Sequence, residues 1–443
     1  MILTGLLGNG LSGTGPDDAL TDVLRVLAGL DAPRAGEPGP AVLVAAPRAR
    51  SNPFAGLLYR GLPDAGVVPV VVPDVPAAAS LAVRLGEVTD GLVGTVLHLH
   101  WLHRVTATAR DAAAAREAVT RVESALLCAA DAGTRLVWTV HNLAPHRPRF
   151  PDAELRLRRV AADLADVVHV MDPRTPELVA ATTPLDPAKV RLVPHPSYAG
   201  AHPDTVTRAG ARQRLGIPAS ATVFVALGRI QPYKGLDCLA EAFGALSAEA
   251  PGRYRLVVAG AVDGVGPGPV RARPGPSDPG TDALLHRLAR SRDVICLPLA
   301  VPDADVQVVL RSADVAVVPN LAPLNSGAQA LALTFGVPVV TTGHVPTGTD
   351  WGVGVPPGDA GALTAGLRES VARLTGPGGA GLPGAPGARA AALAAAAEVA
   401  PSVVGPAFAR VVRDLLDSPV STARPARATR PTGPTGPTRG GQR

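Results

Sequence analysis

"ALGRIQPYKGLDCLAEAF", residues 226–243, passes from an apolar run through two cations into a helical pattern. The run ends on Gly228, the short loop carries Arg229 and Lys234, and the helix opens directly behind them. Two cations at a strand end, with backbone amides close by, suit a diphosphate; an ordinary basic loop is the plain alternative. Lys234 carries extra weight because only it and Lys189 are lysines among the 42 basic residues.

Outward from this segment, apolar runs of strand length alternate with helical periodicity. "AVLVAA", "VVPVVV", "TVLHLHW", "LVWTVH", "DVVHVM" and "VRLVPH" precede it; "YRLVVAG", "DVICLPL", "DVAVVPN" and "VPVVTT" follow. Continuous β-branched runs separated by helices indicate parallel strands covered on both faces. At 443 residues the chain exceeds one hydrophobic core. The fold class is therefore α/β, with two doubly wound, Rossmann-like domains facing a cleft. The expected division is an N-terminal extension over 1–40, partly flexible, and a first domain over 41–205. A second domain spans 206–399, and a helix at about 400–417 and a disordered basic tail over 418–443 follow.

Open parallel sheets bind ligands at the carboxyl ends of their strands. Those ends carry His98, His100 and Trp101; His141 and Asn142; His195; Gly228 and Arg229; and Asn320. Downstream, "NLAPLNSGAQALALTFGVPVVTT" (320–342) places Asn325, Ser326 and Gly327 where a helix opens. That is an anion site by geometry, although Ser326 or Asn325 also suits a simple N-cap.

Composition narrows the function classes. The terminal "STARPARATRPTGPTGPTRGGQR" holds five arginines and no acid, which equals the whole formal excess of +5. The body is close to neutral, against a nucleic-acid partner. Cys128, Cys238 and Cys296 form no CxxC pair and suit apolar packing in a reducing cytoplasm. No uninterrupted apolar stretch approaches the ~20 residues of a membrane span. Arg147, Arg149, Arg156, Arg158 and Arg159 leave two readings open: peripheral contact with the inner face of an anionic membrane, or a solvated helix face. "GNGLSG" (8–13), with Asp31 downstream, fits a dinucleotide pattern in poor context. "DAD" (303–305) is explained by helix N-capping rather than metal binding.

"GRIQPYKGLDCLAEAF", "RLVVAG", "VLRSADVAVVPN", "SGAQALALTFGVPVV" and "GVGVPPGDAGAL" together resemble the donor-binding domain of GT-B glycosyltransferases, especially family 4. The likeness extends upstream through "HLHW", "TVHNLAPH" and "VPHPSY", over roughly residues 41 to 417. The resemblance implies a metal-independent enzyme without a cofactor. It would move a sugar from a nucleotide diphosphate to a hydroxyl acceptor, such as a glycan or lipid-linked glycan. It assigns Gly228, Arg229, Lys234, Asn325, Ser326 and Gly327 to the donor and His141 to the position beside the transferred sugar. His98, His100, Trp101, Asn142 and His195 are expected on the acceptor or sugar side. It also implies that the helix "VVGPAFARVVRDLL" crosses back to the first domain.

One departure stands out. The family's two spaced glutamates fall near Pro323 and Leu331, and no acid occurs between Asp314 and Asp350. Gln329 is a conjectural replacement for a ribose contact. This leaves stereochemical outcome open and keeps a degenerate, non-catalytic partner subunit as the alternative, ahead of an NAD-dependent oxidoreductase. His98, His100, His103 and His141 also raise a zinc reading, which the lack of a nearby Cys or acid disfavours.

Overall fold

Alternate residues of the run Ala41–Ala46 separate onto two sides. Val42, Val44 and Ala46 enter one apolar cluster, and Ala41, Leu43 and Ala45 enter the cluster opposite. A strand buried on both faces requires this, and the run reads as continuous apolar sequence for that reason. The same split recurs in the second domain, with Phe224 and Ala226 on one side and Val223 and Val225 on the other.

The computed structural model describes residues 16–29, 39–49, 52–90, 92–143, 149–262, 279–322, 324–343, 345, 351–376 and 385–419. The first sheet comprises β1 (Ala41–Ala46), β2 (Val67–Val71), β3 (Gly94–Leu99), β4 (Arg135–Thr139), β5 (Val167–Val170) and β6 (Val190–Leu192). Its order is β2-β1-β3-β4-β5-β6, with every pairing parallel. The second comprises β7 (Thr222–Leu227), β8 (Tyr254–Ala259), β9 (Val294–Leu297), β10 (Val315–Val318), β11 (Val339–Thr341) and β12 (Val353–Gly354). Its order is β12-β11-β10-β7-β8-β9, again all parallel. Each sheet reverses its winding once, between β1 and β3 and between β7 and β10. A crevice opens at such a switch point.

The chain passes between domains twice, and the crossings touch. The Ser197 amide donates to the Val399 carbonyl at 2.7 Å. Helix Arg208–Arg214 already belongs to the second domain, where Asp314 takes Arg208 and Arg212 at 2.6 and 2.7 Å. By length and apolar composition alone, Pro386–Asp417 is a candidate membrane span. It is two helices, Pro386–Glu398 and Pro401–Asp417, and Pro401 starts the second. The first puts Ala388 and Ala392 into the second domain's clusters; the second puts Phe408 and Val412 into the first domain's.

Two expectations need adjusting. Helix Pro16–Ala28 packs Ala19, Leu20 and Val23 into the first domain's core, so part of the N-terminal extension is integral to that domain. Cys128 is exposed rather than packed. "GNGLSG", Asp31 and the tail from 420 onward lie outside the described residues.

Phe408 is fully buried and lies 5.1 Å from the His98 ring, nearly parallel to it, and 5.9 Å from Tyr59. Phe408→Ala is expected to destabilise the protein by about 3–5 kcal/mol, read as a lower urea midpoint with an unchanged m-value.

Candidate functional site

The two switch points face one another. Asn52 and Phe54 after β1 and Trp101 after β3 line one wall of a cavity of about 160 Å³; Tyr233 and Lys234 after β7 and Asn320 after β10 line the other. His141, Asn142, His195, Asn325, Ser326 and Gly327 complete the lining. Seven of the expected site residues outside the β7 loop thus share one cavity with Lys234.

On the second domain's side, Gly235 has φ +65°, and a Cβ there would sit 2.0 Å from the Pro319 carbonyl oxygen. Only glycine allows the β7 loop to turn this tightly under β10 and start helix Leu236–Glu249. The turn leaves Lys234 half-buried, its Nζ 5.0 Å from the centre of the Tyr233 ring. Burial lowers its pKa to about 8. No carboxylate pairs with it among the described residues. Gly228 and Arg229 are exposed and line an adjoining pocket with Lys234.

Helix Gly327–Thr334 points its amino end at the cavity. Ser326 is its N-cap, accepting from the Gln329 amide, so the capping role is realised. A Cβ on Gly327 would lie 2.7 Å from the Tyr198 hydroxyl, which holds this helix end close to the first domain. Asn320 Oδ1 and Asn325 Nδ2 are buried without hydrogen-bond partners. Orphaned amide atoms in a cavity wall are what a polar ligand satisfies.

On the first domain's side, His141 is half-buried and stacked on Trp101, with ring centres 4.6 Å apart and planes at 18°. Trp101 holds φ +30°, an uncommon conformation for a bulky residue. Phe54 meets the His141 ring edge-on at 5.0 Å. His98 and His100 lie beneath this wall rather than on it, both essentially inaccessible to solvent. That burial places them out of contact with a sugar, contrary to the acceptor-side expectation. His195 does reach the cavity; its Nδ1–H donates to the Pro196 carbonyl at 2.7 Å, turning Nε2 toward Gly327.

The histidine nitrogens are engaged with one another and with hydroxyls instead of converging on a point. His141 Nε2 lies 2.9 Å from His100 Nδ1; His100 Nε2 is 2.7 Å and His98 Nδ1 is 2.8 Å from the Tyr59 hydroxyl. Beyond, His98 Nε2 is 2.7 Å and His169 Nδ1 is 2.9 Å from Thr139 Oγ1, and His169 Nε2 is 2.9 Å from the Val193 carbonyl. His103 is exposed and outside this line. Burial, followed by the neighbouring imidazoles, lowers the pKa of His98, His100 and His141 well below the ordinary range; burial holds His169 and His195 at about 4.

Sequence reasoning missed Tyr59, Thr139 and His169. Period-2 alternation offered a signal for two of them, since Thr139 and His169 are register partners in adjacent strands. Sequence reasoning placed Arg158 at the surface, whereas Arg158 is buried and donates to the carbonyls of Asn142 and Leu143 at 3.0 and 3.1 Å. Arg158 therefore fixes the loop after β4 instead of facing a membrane, and Arg156 and Arg159 are likewise bonded to Glu123 and the Thr182 carbonyl. Gln329 accepts from Thr341 Oγ1 at 3.3 Å, and Leu331 packs against the apolar cluster beneath the helix. Asp303 and Asp305 occupy the first turn of helix Asp303–Ser312. His146, Arg147 and Pro323 lie outside the described residues.

Residues 221–372 match the family model for glycosyl transferases group 1. A D-inositol 3-phosphate glycosyltransferase of Kineococcus radiotolerans is 36% identical over 30% of this chain and 30% of its own length. One from Actinosynnema mirum is 33% identical over 54% of this chain and 56% of its own length. The chain thus spans about a third to just over half of these relatives. Among solved structures, Anabaena Alr3699/HepE in complex with UDP superposes with a TM-score of 0.58, at 14% identity, over 84% of this chain and 100% of its own. A glycosyltransferase from Rickettsia africae gives 0.60 at 13% identity, over 86% and 100%. The fold is GT-B, and its second domain carries the group 1 signature.

With two lysines in the chain, ¹³C labelling of lysine gives two side-chain resonances. Lys234 is expected to titrate near pH 8. Added pyrophosphate is expected to raise the Lys234 value, because an anion stabilises the charged form that burial disfavours.

Proposed function

We propose that the protein is a glycosyltransferase, moving a sugar from a nucleotide diphosphate to a hydroxyl acceptor. One observation carries this reading: a half-buried lysine with no paired carboxylate among the described residues stands across a switch-point cavity from His141. A cation that burial has made costly, beside an inward-facing helix N-terminus, supports a bound diphosphate.

In the reaction, the bond from the anomeric carbon to the β-phosphate oxygen breaks and a bond to the acceptor oxygen forms. The acceptor hydroxyl loses its proton, and the nucleoside diphosphate leaves with the bonding electrons. Lys234, Arg229 and the amides at the start of helix Gly327–Thr334 stabilise the charge growing on the β-phosphate, without a metal. Asn320 and Asn325 offer their unpaired amide atoms to sugar hydroxyls. His141 orients the sugar or receives the acceptor's proton, and the Trp101 ring supplies a face for an apolar sugar surface. The donor rests on the second domain and the acceptor on the first, so closure about the paired crossings at Ser197 and Val399 excludes water. Free cysteines and a nucleotide-sugar donor fit a cytoplasmic enzyme.

The lack of acids at 323 and 331 favours one second reading, a degenerate, non-catalytic partner subunit. A thermal-shift screen of UDP, GDP, ADP and their sugars separates the two. At least one is expected to raise Tm, and Lys234→Ala to abolish the shift. His141→Ala is expected to keep the shift while slowing transfer about 10²-fold or more. No shift with any nucleotide, or a shift that survives Lys234→Ala, sinks the donor-site assignment. No shift with any nucleotide, together with a second protein that co-purifies, assigns the subunit role.

A further inference from the structure

The line of contacts from Val193 to His141 has one end whose chemistry is fixed. A backbone carbonyl only accepts, so His169 Nε2 carries a proton and donates to Val193 at 2.9 Å. A neutral imidazole has one N–H, which leaves His169 Nδ1 bare, and the Thr139 hydroxyl donates to it at 2.9 Å. That hydroxyl has no second proton, so His98 Nε2–H donates to Thr139 at 2.7 Å. His98 Nδ1 is then bare and accepts from the Tyr59 hydroxyl at 2.8 Å. Tyr59 in turn accepts from His100 Nε2–H at 2.7 Å, and His100 Nδ1 accepts from His141 Nε2–H at 2.9 Å.

The neutrality of each ring has a structural cause. Among the described residues, none of the four imidazoles has a carboxylate as a hydrogen-bond partner, and Phe408 covers His98 and His169 while Phe54 covers His100 and His141. Burial lowers the pKa of every ring in the line and raises that of Tyr59 well above 10, so each group keeps the single proton that the argument assigns.

We propose that this chain fixes His141 in one tautomer, protonated on Nε2 with Nδ1 bare, so that it meets a hydroxyl in the cleft as a hydrogen-bond acceptor. His100, Tyr59, His98, Thr139 and His169 are then positioning residues that act through His141 without touching substrate. No proton leaves at the far end, since the Val193 carbonyl takes none. The chain orients and does not conduct, and a proton gained at Nδ1 departs through the cleft. The consequence for sugar transfer rests on the glycosyltransferase reading; the tautomer does not.

The test is selective ¹⁵N labelling of the ten histidines, with His141 assigned by its loss in His141→Gln. Long-range ¹H–¹⁵N correlation is expected to show Nε2–H and a bare Nδ1 at His141 in the wild type. Thr139→Val replaces only the hydroxyl, four hydrogen bonds away from His141. It is expected to give a mixed tautomer signature at His141 and roughly a tenfold fall in kcat, with donor KM unchanged. Thr139→Ser is expected to restore both. Tyr59→Phe, which cuts the chain two hydrogen bonds nearer, serves as the second variant should Thr139→Val misfold. A wild-type His141 protonated on Nδ1, or a signature unmoved by both variants in folded protein, overturns the proposal. The spectrum needs no turnover, so a protein that binds no nucleotide yet shows the fixed tautomer keeps this inference and loses only the functional one.

Discussion

The parallel register of the first sheet decides which side of the protein the imidazoles occupy. β3 sets His98 opposite Val137, and β4 sets Thr139 opposite His169. A slip of one residue at either pairing sends the polar groups to the other face, among the helices, and leaves apolar side chains under the cleft. With the register as it is, His98, Thr139 and His169 share one face with Tyr59 and Phe408, and the next residues along β3 and β4 emerge at the crevice. Trp101 and His141 are therefore placed by the ladder hydrogen bonds of a buried sheet rather than by a free loop. A rigid base of this kind holds a reacting group to the sub-ångström tolerance that transfer chemistry requires.

Among the described residues, charge is distributed so that the cleft keeps a cation without a paired carboxylate. Asp314 is almost fully buried and accepts from Arg208, Arg212 and the Val223 amide, so one carboxylate is shared by two guanidiniums. Such networks are structural, because the desolvation of each ion is offset within the protein. Lys234 contrasts with that arrangement. It is half-buried against Tyr233, and its lowered pKa measures the cost of holding the charge there. Its neighbours at the cavity, Asn320 and Asn325, are neutral amides with unpaired buried atoms, so the site is incomplete electrostatically and in its hydrogen bonds. Both deficits are of the kind that an anionic, hydroxyl-bearing ligand removes.

Much of the architecture was legible because parallel strands buried on both faces write themselves as unbroken apolar runs. Each such run coincides with one of β1 to β11; β12, two residues long, has too little sequence to announce itself. The strand-end rule found Trp101, His141, Asn142, His195 and Asn320 for the same reason. It failed on depth. His98 and His100 end a strand as visibly as His141 does, and only the neighbouring elements, Tyr59 and the returning helix with Phe408, put them under the surface. Arg158 was misjudged in the opposite sense: an arginine in a charged helix reads as solvated, and its burial under the loop carbonyls of Asn142 and Leu143 depends on contacts distant in sequence.

The absence of acids along 315–349 bears on the histidines as well as on the donor. A carboxylate hydrogen-bonded to any ring in the line would favour the imidazolium, and an imidazolium donates from both nitrogens. One charged member would break the single direction that Val193 imposes and remove the bare Nδ1 from His141. A neutral site and a one-way chain are therefore one design constraint seen twice. On the proposed reading, positive charge stays with Lys234, where a diphosphate would meet it, and lone-pair capacity stays with His141, where a hydroxyl would. Separating the two roles across the cleft would let a leaving group be stabilised by a cation without that cation protonating the group that receives the hydroxyl's hydrogen bond.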